Sequence, residues 1–317
     1  MIPPIAHFIW LGPELLWANA LAIRSAALRG GFEQVVLHHA DDLSHNDIWP
    51  ELEALPGFSA RRIDVQAIMR ATGSGAEKLL EIYRRLDKPA ARANMLRAAI
   101  LYNEGGVYLD CDTVTLKPLN ELRQNCGAFC GEEYILPTNH PLRDHPQKLA
   151  PVTTLLASRV RQLCRRLPSG WRYFRTIERW YPRGASNAVL GAAPRHPLVR
   201  RLLNAMIEIP ESKQRVRFAL GVDLLQKVLA EVQEPDIRLL PPRYFYPLAP
   251  VISHHWFKVG SRRSALDDVL YPDTFVVHWY ASIWTEKILP SINADYVRQH
   301  ADKQLFSALV LPLLRPQ

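Results

Sequence analysis

Little cysteine, no long apolar run and a shortage of acid mark this chain, and each deficit removes a class of protein. Of 317 residues four are cysteine, namely Cys111, Cys126, Cys130 and Cys164. They lack the paired C-x2-C spacing of a zinc site, and the gap from Cys126 to Cys130 suits no common ligand pattern, so they read as reduced thiols. No window reaches 18 uninterrupted apolar residues, and the opening MIPPIAHFIWLG has no charged segment ahead of an apolar core. The expectation is a chain that neither spans a membrane nor leaves by an ordinary signal, and so a cytoplasmic one. No recognised nucleic-acid module is present either, and nucleic acid is not an expected partner. Lysine and arginine exceed the acids by 39 − 31 = 8, which favours anionic partners such as nucleoside diphosphates, acidic glycans or an anionic bilayer surface.

What the chain does have is apolar content of 48%, enough for the core of one elaborated α/β domain, and one stretch of dense information. Residues 92–112 read RANMLRAAILYNEGGVYLDCD. Good helix formers without proline or glycine predict a helix from Arg92 to Asn103, and Gly105 and Gly106 end it, one of them in the left-handed conformation that closes a helix. VYLDCD then predicts a strand on which Tyr108, Asp110 and Asp112 face one way. The two carboxylates would lie about 7 Å apart along it, suited to gripping a small ligand or a cation. Burial without a counter-charge would be costly, and a divalent cation removes that cost. An isolated D-x-D is usually a solvated strand end. At a buried strand end, however, two hard-oxygen ligands holding Mn2+ or Mg2+ are what departure of a diphosphate from a nucleotide sugar needs.

The surrounding residues decide. Ala93, Leu96, Arg97, Leu101, Tyr102, Gly105, Gly106, Tyr108, Asp110 and Asp112 fit a pattern that resembles glycosyltransferases of family 32, the DXD-containing group that includes yeast mannosyltransferases and bacterial capsule enzymes and is related to large glucosylating toxins. Asn94 stands where many members have Asp; its amide oxygen still accepts a hydrogen bond. The opening I-P-x-I-x-H-x-I-W-x-G pattern is met in part by His7 and Trp10. The resemblance implies that Trp10 stacks on the nucleotide base, while His7 reads as a structural hydrogen-bonded residue. Residues from Gly184 resemble a second block, in which Ser186 and Asn187 sit at a turn and Asn187 contacts the transferred sugar. FALGVDLL from Phe218 departs from a third, with Val222 and Gln226 in place of Pro and Thr, and leaves Asp223 as a further acid to consider. FVVHWYASIWTEK from Phe275 resembles the closing motif, making His278 the third protein ligand of the metal, with Ser282, one residue early, and Trp284 as contacts to the phosphates and to the lid over the donor.

The remaining chain fits this frame. Ile5 to Leu11 predicts a buried parallel strand, Leu15 to Leu28 a helix, and Gln34 to His39 a second strand, the opening of a nucleotide-binding sheet. Asp41 and Asp42 read as a loop and helix cap, since consecutive acids cannot share a strand face. A strand near Ala60 to Val65 and a helix after the 73–75 turn precede the key helix, whose Asn94 and Arg97 share one face. The expectation is a GT-A-like α/β fold with a mainly parallel sheet and helices on both faces: one catalytic domain over 1–290, a basic and aromatic acceptor-side insertion at 136–181, and a helical tail at 291–317 that docks or acts as a weak surface anchor. The implied function is a metal-dependent retaining glycosyltransferase using Mn2+ or Mg2+ and a nucleoside-diphosphate sugar, with UDP-sugar favoured over GDP-sugar. Catalytic residues would be Asp110, Asp112, Arg97 and Asn187; donor contacts Trp10, Asn94, Tyr108, Ser282 and Trp284; metal ligands Asp110, Asp112 and His278. The acceptor would be a glycan or a lipid-linked glycan, with peripheral contact at an anionic inner membrane face. The competing readings are a toxin-like effector that glycosylates a host protein and a non-catalytic nucleotide-sugar-binding protein.

Overall fold

The computed structural model describes residues 1–134, 151–232, 234–260, 265–281 and 287–314. Its frame is a seven-stranded sheet built from β1 (Ile5–Trp10), β2 (Gln34–His39), β3 (Phe58–Arg62), β4 (Gly106–Leu109), β6 (Ala128–Tyr134), β7 (Arg183–Ala192) and β8 (Ile237–Leu240), in the order β3-β2-β1-β4-β7-β6-β8. Neighbours run parallel except around β7, which is antiparallel to both β4 and β6. A second sheet pairs β5 (Thr113–Thr115) with β9 (Val276–His278) in antiparallel fashion. The apolar runs in β1 and β2 are buried on both faces, as a parallel strand sandwiched by helices requires.

Helices cover both faces. Trp17–Arg29 packs with one hydrophobic cluster, while Pro89–Glu104, Pro197–Glu208 and Val222–Glu231 contribute to the other. A third cluster lies beneath the second sheet, where Trp256, Trp279 and Phe306 meet. Helix Leu305–Val310 is buried along its whole length in that cluster, so the tail is docked and the surface-anchor expectation for it is corrected. Its Phe306 packs against Trp279 and Phe257 rather than facing outward.

The chain places β2 on one side of β1 and β4 on the other, so the winding reverses between β1 and β4. Crevices of open α/β sheets form at the carboxyl ends of the strands flanking such a reversal. Trp10 ends β1 and Asp110 follows β4 directly.

Here the structure corrects the strand reading of VYLDCD. Strand β4 stops at Leu109, and residues 110–112 form a turn in which the Thr113 N–H and hydroxyl both donate to the Asp110 carbonyl. The chain therefore leaves one sheet and enters another, and the acids sit at the joint. The physical reason is competition for partners: the Asp110 N–H still bonds Ala188 of β7, while the Asp112 carbonyl already accepts from Trp279 beside β9. The glycine pair also differs in detail. Gly105 closes the helix at φ 69 and ψ −159, a region only glycine enters easily and not the left-handed helical one. Gly106 at φ 98 lies so close to β1 that a Cβ would come within 2.6 Å of the Ile5 carbonyl.

Candidate active site

Asp110 and Asp112 share one turn, and His278, at the end of β9, converges on them. One ligand atom from each lies within 4.8 Å of the others, tighter than a continuous strand allows two alternate carboxylates to be. The antiparallel register of β5 with β9 pairs Thr113 with His278 and so delivers the imidazole beside Asp112. Its Nε2 is 2.8 Å from Asp112 Oδ1, and the Ala281 N–H donates to Asp112 Oδ2 at 2.8 Å. On the other carboxylate, Arg97 Nη2 donates to Asp110 Oδ1 at 2.9 Å and the Tyr108 hydroxyl donates to the same oxygen at 2.7 Å.

Arg97 is the hub on the helix side. Its other arm donates to the Asn187 carbonyl, and its guanidinium lies 4.1 Å from the centre of the Tyr108 ring. Asn187 in turn donates from its amide to Asn94 Oδ1 at 2.9 Å. The sequence places Ser186 and Asn187 at a turn; the structure puts them inside β7. The register between β6 and β7 jumps between Cys130 and Gly131, from Leu190 to Ser186, leaving Asn187, Ala188 and Val189 without partners on β6. That bulge lets Asn187 reach Arg97 and Asn94 without ending the strand. Gly221 packs against this pair, where a Cβ would lie 2.7 Å from the Asn94 amide, and Gln226, which replaces the expected threonine, accepts from the Ala185 N–H at 2.7 Å.

The turn carrying the acids is clamped from below. Asn19 donates to the Cys111 carbonyl at 3.0 Å, and the Cys111 thiol contacts the Ile9 carbonyl. Trp10 is half-buried at the end of β1, with its ring N–H on the Glu14 carbonyl. His7 is fully buried between His38 and the Gly105 carbonyl, a structural position.

The electrostatics separate the two carboxyls. Burial, reinforced by the Asp112 charge, pushes the Asp110 carboxyl up against the pull of Arg97. Burial also opposes ionisation of Asp112, but His278 and the Ala281 N–H together hold its carboxyl below the usual range. Asp112 raises the pKa of His278 against burial, while His278 Nδ1 is buried without a hydrogen-bond partner, which opposes the imidazolium. These residues fit a divalent cation: two carboxylates and a nitrogen base converge, Asp110 keeps 26% and Asp112 15% of its side-chain exposure, and one imidazole nitrogen is uncommitted. They would be the residues to hold it.

Ser282 and Trp284 lie outside the described residues, as does part of the 136–181 segment. The sequence reading missed Glu133, Tyr246 and Tyr280, which ring His278: the Tyr280 ring lies tilted against it at 4.0 Å and Tyr246 meets it edge-on at 5.8 Å. It also missed Asn19. No local signal marks them, because each is recruited from a different element.

An acidic joint, an imidazole and a buried arginine thus meet where the winding of the α/β sheet reverses. Residues 30–128 match the family described as "Glycosyltransferase sugar-binding region containing DXD motif", and this match, which contains Arg97, Asp110 and Asp112, supports a glycosyltransferase. Trp10, Asn187 and His278 lie outside the matched residues. Among curated proteins no match was found. Solved structures similar in fold include the PaToxG glycosyltransferase (14% identity over 73% of this chain and 69% of that one, TM-score 0.40). The UDP-bound glycosyltransferase domain from the YGT toxin is another (11%, 65% and 62%, 0.34), as is mouse xyloside xylosyltransferase 1 in its apo form (12%, 86% and 96%, 0.43). Identities this low transfer nothing about donor, acceptor or partner. No helix among the described residues is long and apolar enough to cross a membrane.

Proposed function

We propose that the protein is a metal-dependent, retaining glycosyltransferase that takes a sugar from a nucleoside diphosphate, with UDP-sugars favoured over GDP-sugars, and gives it to a glycan or lipid-linked acceptor. The observation that carries this reading is the convergence of Asp110, Asp112 and His278 within 4.8 Å beside the Arg97, Asn94 and Asn187 network. A bound Mn2+ or Mg2+ would supply Lewis-acid charge to the departing diphosphate. The chain's own residues do the rest. Arg97 ties Asp110 to the β7 bulge, and Asn94 with Asn187 offers amide groups beside it for sugar hydroxyls. Trp10, at the rim of β1, offers a ring for the base. No residue is assigned as general base: in front-face retention the leaving phosphate accepts the acceptor's proton.

Asp112→Ala tests this. Mn2+ with UDP or GDP should raise the unfolding midpoint of the wild type and not that of the variant, and donor hydrolysis should fall at least a hundredfold. Full turnover in EDTA would end the metal-dependent reading.

The acceptor side has its own observation. Of the nine large apolar side chains exposed among the described residues, five, Leu156, Leu163, Leu167, Tyr173 and Trp180, fall within 25 positions, a stretch with seven arginines and one acid. Leucine and tryptophan among arginines suit the surface of an anionic bilayer. Co-sedimentation should be seen with vesicles containing phosphatidylglycerol and lost with pure phosphatidylcholine; equal recovery with both would exclude that role.

A further inference from the structure

Tyr280 is one of three residues other than glycine with positive φ among those described, at φ 58. A bulky side chain there is strained, and such strain persists only where its surroundings impose it. Its neighbours show what it accomplishes. His278 and Ala281 both bond the Asp112 carboxylate, one from its side chain and one from its backbone N–H. The Trp279 N–H bonds the Asp112 carbonyl. Contacts from residues 278, 279 and 281 to one residue draw the chain in at position 280, because in an extended segment the N–H groups of 279 and 281, though on one side, lie about 7 Å apart.

The far end of the Tyr280 side chain is held as well. Its hydroxyl donates to Glu133 Oε2 at 3.0 Å. Glu133 lies on β6 just beyond the register jump at Cys130 and Gly131. Gly131 has no room for a Cβ, which would lie 2.7 Å from the Tyr246 ring. The Tyr246 and Tyr280 rings then flank the His278 imidazole from two sides.

The geometry points to Glu133 and Tyr280 as a positioning pair: the carboxylate on β6 anchors the phenol, the anchored phenol holds residue 280 in its left-handed turn, and that turn fixes the His278 imidazole and the Ala281 amide on Asp112. The pair touches neither donor nor acceptor in this account. It acts through His278 and Asp112, and it rests on the reading of those two as metal ligands. Partners of this kind, which orient a ligating side chain from behind, typically contribute about 10- to 100-fold in metal affinity.

Five proteins separate the possibilities: wild type, Asp112→Ala, Tyr280→Phe, Glu133→Ala and Glu133→Gln. Mn2+ binding is measured by calorimetry without nucleotide, and thermal unfolding is followed with and without Mn2+. Tyr280→Phe and Glu133→Ala should each weaken Mn2+ binding about tenfold or more, with the metal-free unfolding midpoint moving little. Glu133→Gln keeps an acceptor for the phenol and should stay near wild type. Should both disruptive variants bind Mn2+ as the wild type does while Asp112→Ala does not, the positioning pair is wrong and the metal reading stands. Unchanged Mn2+ binding in Asp112→Ala overturns the metal reading and the pair with it. A general loss of stability in the two variants with unaltered Mn2+ affinity also overturns the pair, since it would mark a packing role only.

Discussion

At the residue scale, Arg97 concentrates the chemistry. It is buried, ion-paired to Asp110, bonded to the Asn187 carbonyl and stacked on Tyr108. A planar fork can do all three at once, whereas an ammonium is a point charge that serves one acceptor well. Arg97→Lys should therefore lower kcat/KM for donor hydrolysis at least tenfold, a loss of about 1.4 kcal/mol in transition-state stabilisation, measured on protein whose circular dichroism is unchanged. Equal kcat/KM would reduce Arg97 to a counter-charge. Arginine at this position was legible from the family pattern, but its second partner was not. The Asn187 carbonyl comes from 90 residues away, and no local rule connects the two.

At the scale of elements, the site exists because β4 is short. Its four residues end as the chain passes from the large sheet to the small one, and the turn between them gathers two carboxylates. Period-two alternation predicted a continuous strand because VYLDCDTVT alternates well; alternation cannot tell one strand from two in different sheets. The entry to β4 is set by glycine. At Gly106 a methyl group would press on the Ile5 carbonyl while φ stays at 98. Gly106→Ala should destabilise the protein by about 2 kcal/mol, within the range for a strained backbone position. The check is the urea midpoint at constant m-value, and an unaltered midpoint would mean that β1 and β4 part easily. The β7 bulge is the counterpart of this turn: one frees the acids from their sheet, the other frees Asn187.

For the molecule as a whole, the buried histidines set the acid limit. Burial lowers His7 and His254 to about 4 and His38 and His255 to about 3, against 6.5 in the unfolded chain. Above pH 6.5 both states are neutral at these positions, and no proton difference exists. As pH falls below 6.5 the unfolded chain takes up protons that the fold refuses, and stability is lost until about pH 4 for the first two and about pH 3 for the others. Each contributes about 1.4 kcal/mol per pH unit over its window. The urea midpoint should thus be flat above pH 7 and fall steadily from pH 6.5 to 5; a midpoint constant down to pH 5 would show that these histidines titrate as exposed ones.

The sequence by itself determined the helix over Arg92 to Asn103, the glycine exit and the βαβ opening, because helix propensity, glycine's conformational freedom and strand periodicity act between near neighbours. It also singled out His278, through a motif. Only the tertiary structure decided that the acids sit in a turn, that Asp112 meets an imidazole 166 residues away, and that Glu133 and Tyr280 stand behind it. Those arrangements depend on sheet order, a register jump and the packing of aromatic rings, all of which join distant segments and leave no periodic trace along the chain.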